Sequence, residues 1–81
     1  MALTITQIII LNWFYQCHIK GEPAAYKGSI EHFSEVMKIS DPINVIRSLL
    51  DMGFISIHKN TMQVKITPEG IKQYEHLKKK S

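Results

Sequence analysis

The hydrophobic pattern of this chain changes period at Gly53. Before it, Pro42, Ile43, Val45, Ile46, Leu49, Leu50 and Met52 fall on one arc of a helical wheel. Asn44, Arg47, Ser48 and Asp51 fall on the opposite arc. After it, Phe54-Ile55-Ser56-Ile57-His58 alternates, Lys59-Asn60-Thr61 turns the chain, and Met62-Gln63-Val64-Lys65-Ile66 alternates again. Asn60 is the turn residue best suited to a positive φ. Thr67-Pro68-Glu69 then reads as an N-cap, a proline at the first helical position and an acid in the first turn. Helix, glycine, hairpin and helix in direct succession imply an α+β domain.

Upstream, Thr4 and Gln7 form a capping-box pattern ahead of a helix over Ile5 to Lys20, with Gly21 as its stop. Asn12, Gln16 and Lys20 make one narrow polar stripe. The other faces carry Ile8, Ile10, Leu11, Trp13, Phe14, Tyr15, Cys17 and Ile19. A helix apolar on most sides is normally covered on most sides. A second copy of the chain is the economical cover, through Ile10, Trp13, Phe14 and Cys17, with Tyr74 from the last helix. Residues 21–28 hold three breakers and read as a loop, with room for a short strand at 24–27. Ser29 opens a second helix, Ile30 to about Lys38, burying Ile30, Phe33, Val36 and Met37. After a turn at Ile39, Ser40 caps the third helix, with Asp41 and Pro42 in its first turn. The last helix, about 68–79, has an apolar side of Ile71, Tyr74 and Leu77.

A chain of 81 residues makes one domain, 1–81. An apolar content of 44% suits a folded globule. The lone Cys17 has no partner for an internal disulfide, so a reducing, cytoplasmic setting fits, and the thiol reads as a small packed hydrophobe. The apolar run from Ile8 to Tyr15, interrupted by Asn12, is far shorter than the ~20 residues of a membrane span, and no basic leader precedes it. The net charge of +3 is unevenly spread. Residues 1–58 carry four Lys and Arg against five Asp and Glu, a net of −1. Residues 59–81 carry six Lys against two Glu, a net of +4. A basic stretch of this kind attracts polyanions.

Two short helices joined by a tight turn and followed by a hairpin make a winged helix-turn-helix. The stretch from Ser29 to Leu77 resembles the winged-helix transcriptional regulators of the MarR, ArsR and PadR type. The resemblance is carried by Leu49-Leu50-Asp51-Met52-Gly53-Phe54-Ile55 and by Ile66-Thr67-Pro68-Glu69-Gly70. It implies a three-helix core with the helix-turn-helix at about 29–53, a β-hairpin wing at about 54–66 and a C-terminal helix. It also implies an operator-binding regulator of double-stranded DNA, acting as a homodimer and associated with the nucleoid when bound. The third helix becomes the recognition helix, with Asn44, Arg47 and Ser48 facing the major groove. Asn pairs with adenine and Arg with guanine, each good contact worth ~1–3 kcal/mol of discrimination. Lys59 and Asn60 at the wing tip contact phosphate or the minor groove, and Lys38 beside the turn and Lys27 position the DNA backbone.

A second class of function stays open. The exposed arc of the third helix has one cation, Arg47, with Asp41 and Asp51 nearby, and acids repel phosphate. In that reading the same fold docks on a protein partner instead. An enzyme has no support: there is no nucleophile–base motif, phosphate-cradling glycine loop or paired-carboxylate arrangement. His18, His32, His58 and His76 show no zinc-ligand spacing, so no metal or cofactor is implied.

Overall fold

The computed structural model describes residues 2–80. The first helix, α1 (Ile5–Lys20), starts where the sequence places it. The Thr4 hydroxyl accepts from the Gln7 backbone N–H, and the Thr4 N–H donates to Gln7 Oε1, so both halves of the capping box form. Gly21 closes the helix at φ 69°, and the Glu22 N–H returns to the Cys17 carbonyl. A two-residue strand, β1 (Ala24–Ala25), follows.

The second helix, α2 (Tyr26–Glu31), begins four residues earlier than Ser29 predicts. Pairing of β1 with the hairpin explains the shift. It brings the Tyr26 N–H to the Met62 carbonyl at 2.9 Å, so this first-turn donor is satisfied without a side-chain cap. Ser29 therefore lies inside the helix, 2% exposed, and its hydroxyl has no partner. The helix runs on as one π-helical turn, His32–Val36, with the Met37 N–H bonding the His32 carbonyl five residues back. The wider turn holds Phe33 in the core and swings Val36 outward to 66% exposure, against the expectation that Val36 is buried.

The third helix, α3 (Pro42–Asp51), is capped by Asp41 rather than Ser40; the Asp41 carboxylate accepts from the Asn44 backbone N–H. Gly53, at φ 80°, takes the left-handed turn that leads into β2 (Ile55–Ile57). β3 (Gln63–Ile66) pairs antiparallel with β2 through Ile55↔Ile66, Ser56↔Lys65 and Ile57↔Val64. β1 lies on its other side through Ala24↔Val64 and Ala25↔Gln63, giving sheet order β1-β3-β2. In the β2–β3 turn the positive φ falls on Met62, at 54°, and not on Asn60. The Met62 N–H bonds the His58 carbonyl, so the reversal is completed at the last loop residue before β3 resumes.

The final helix, α4 (Pro68–Lys80), is capped by Thr67, whose Oγ1 accepts from the Gly70 N–H and donates to the Gly53 carbonyl. The described residues thus form an α+β fold: four α-helices, the second running on into the π turn, and a small three-stranded antiparallel sheet. The core joins Ile10, Leu11 and Phe14 of α1 with Phe33, Ile46 and Leu49, and with Ala24, Ile55, Val64 and Ile66 on the inner face of the sheet. Trp13, Phe14 and Phe33 meet edge to face, with ring centroids 5.2–5.7 Å apart. No described helix is long and apolar enough to cross a membrane.

Candidate nucleic-acid interface

The outward side of α3 follows from its sequence with two exceptions, Ile43 and Ser48. Ile46 and Leu49 are buried; Asn44, Arg47 and Asp51 are exposed. Ile43, placed by the wheel on the buried arc, is 45% exposed. It sits at the edge of that arc, beside Arg47, where the core no longer reaches. The face therefore offers one isoleucine among its polar groups.

The three predicted reading residues behave differently. Arg47 is exposed and forms no ion pair or hydrogen bond among the described residues; its i+4 neighbour Asp51 does not engage it. Asn44 is exposed, but its side-chain amide donates to Asp41 Oδ2 at 2.6 Å. Ser48 is half-buried: its hydroxyl donates to the Val45 carbonyl at 2.7 Å and accepts from Gln7 Nε2 at 2.9 Å. Ser48 thus locks α3 to α1 and is spent on internal bonds. Its wheel angle lies at the edge of the exposed arc, next to the residues α1 covers.

Lys38 is exposed in the turn before α3, in the left-handed conformation at φ 57°. Lys27 is exposed on α2, and Lys59 and Asn60 are exposed in the β2–β3 turn. A further group was legible only as strand parity. Ser56, His58, Gln63 and Lys65 share the outer face of the hairpin, opposite the buried Ile55, Val64 and Ile66. With Ile57 and Thr61 they line a shallow depression of about 400 Å³. The period-two alternation marks these positions; the resemblance, which drew attention to the turn, did not.

Two of the five predicted dimer residues, Ile10 and Phe14, need correction. Ile10 and Phe14 are 0% and 1% exposed and belong to the chain's own core, because α2, α3 and the sheet cover that side of α1. Trp13 is half-buried against Phe14, His32 and Phe33. Tyr74 stacks on Tyr15 with centroids 4.5 Å apart, and its hydroxyl donates to Asn12 Oδ1. Cys17 is half-buried beside the α1–β3 cleft, and burial, reinforced by Glu22, raises its thiol pKa above that of an ordinary cysteine. No group of three His, Cys, Asp or Glu side chains able to hold a metal occurs among the described residues. Compared with protein-family models, with curated proteins and with solved structures, the chain matches none of them.

Proposed function

We propose that the protein is a winged helix-turn-helix regulator that binds double-stranded DNA sequence-specifically, as a homodimer. The observation that carries this reading is Arg47: an exposed, unengaged guanidinium on the outward face of α3, one turn from Asn44. Through Gly53 that helix leads directly into a hairpin with Lys59 at its turn and Lys65 on its outer face. In this mechanism α3 enters the major groove, Arg47 reads guanine, and Asn44 exchanges Asp41 for a base edge. Lys27, Lys38 and Lys59 hold the phosphates. Two copies bind half-sites one helical turn apart, ~34 Å, and occupancy of the operator represses or recruits transcription.

The test is titration of duplex DNA across a range of salt. Three phosphate-contacting lysines per chain predict a log–log salt slope of about −3 per chain, at ~0.9 per phosphate. Arg47→Ala relaxes sequence preference by ~1–3 kcal/mol, while Lys59→Ala weakens all sequences alike and lowers the slope by about one. Absence of binding, or binding indifferent to salt, overturns the reading.

Exposed Ile43 favours one alternative, a docking face for protein, since an isoleucine between Asp41 and Arg47 suits a partner's apolar side chain better than phosphate. Ile43→Ser then abolishes the partner's binding and leaves DNA untouched.

A further inference from the structure

The side of α1 opposite the core carries an apolar stripe that the fold leaves uncovered. Ile5, Ile9 and Ile19 are 77%, 39% and 59% exposed. With Asn12 and Gln16 between them, they follow the 4-3-4-3 spacing of a coiled-coil seam. At about 100° per residue the seam faces away from the buried Phe14. α4 flanks it through Tyr15 and Tyr74 without covering it.

The two polar residues in the middle each keep one solvent-accessible amide atom without a protein partner among the described residues. Asn12 Oδ1 accepts twice, from Gln16 Nε2 and from the Tyr74 hydroxyl, so both its lone pairs are used. Asn12 Nδ2 and Gln16 Oε1 have no partner among the described residues, and neither atom is sealed from solvent. One half-buried donor and one half-buried acceptor therefore sit a turn apart on the same stripe. A parallel pair would set Asn12 against Asn12, where the acceptor is already saturated. An antiparallel pair with Ile9 opposite the partner's Ile19 sets Asn12 opposite the partner's Gln16, so each orphan donor meets an orphan acceptor twice across the dyad. The five seam positions bear no charged side chain; Lys20 flanks them beside Ile19, and in the antiparallel register it lies opposite the partner's Ile8 and not opposite a like charge.

We propose that a second copy of this chain covers the stripe, as an antiparallel α1–α1 pair with Ile9 against the partner's Ile19 and Asn12 against the partner's Gln16. The proposal deepens the homodimer of the reading above and rests on that part of it. A single pair of helices of this length makes a small interface, so a dimer that dissociates on dilution is expected.

The test combines sedimentation of the full chain with site-directed cross-linking in a Cys17→Ser background. A concentration-dependent dimer is expected, weakened about tenfold or more by Ile9→Lys, with circular dichroism showing that the variant stays folded. Under mild oxidation a chain carrying both Ile9→Cys and Ile19→Cys forms a covalent dimer. Either substitution alone does not, because like positions lie about 15 Å apart along antiparallel helices at ~1.5 Å per residue. A dimer that survives Ile9→Lys and fails to cross-link overturns this seam and leaves the homodimer standing. A monomer at every concentration overturns both, and leaves DNA binding to be judged by its salt titration.

Discussion

Gly70 is the residue whose replacement has the clearest expected cost. A Cβ built there lies 2.0 Å from the Phe54 carbonyl oxygen and 2.8 Å from Ile66 Cγ1, in a buried position where α4 crosses the start of β2. The nearer obstacle is backbone, which cannot turn aside. Gly70→Ala is expected to destabilise the fold by about 3 kcal/mol, at or beyond the upper end of overpacking costs, read as a lower urea midpoint with an unchanged slope. Ser29 runs the other way. Its hydroxyl is buried without a partner, and an unmet buried donor costs about 1–3 kcal/mol. Ser29→Ala should raise stability by ~1 kcal/mol in the same measurement; a loss would mean the hydroxyl is bonded. The sequence makes Ser29 look like a cap, because serine before an apolar periodic run is a cap signal. What it does not reveal is that a two-residue strand pairs first and starts the helix at Tyr26.

Among the elements, α1, the buried arc of α3 and the hairpin were legible, since capping boxes and periods of 3.6 and two are local. Three features were not. The π turn that exposes Val36 arises from how α2 must pack Phe33 against Phe14 and Trp13, a tertiary demand. Ser48 reads as a surface residue on the α3 wheel, and only the crossing of α1 ties it to Gln7. Ile10 and Phe14 look like interface from an all-apolar wheel, which shows that cover is needed but not whose. The α2–α3 connection offers a test that separates stability from binding. Lys38 holds a left-handed conformation that costs an L-residue roughly 1–2 kcal/mol and glycine almost nothing. Lys38→Gly should raise the melting temperature while lowering DNA affinity for all sequences, if the ammonium contacts phosphate. Both quantities falling together would show the lysine to be structural.

At the scale of the molecule, the acidic balance of residues 1–58 and the basic balance of residues 59–81 divide the work. The proposed reading helix contributes one cation, so most of its affinity must come from the hairpin, the turn lysines and a second copy. The candidate site is therefore less legible than the fold, because a groove-facing role depends on what the helix meets rather than on how it forms. The chain also carries its own optical gauge. Its one tryptophan, Trp13, leans on His32 and Phe33 with ring centroids 5.3 and 5.2 Å away, at the junction where the second helix seats against the first. Loosening of that junction on heating, or its tightening when a partner binds, changes the emission of a single indole and needs no added dye.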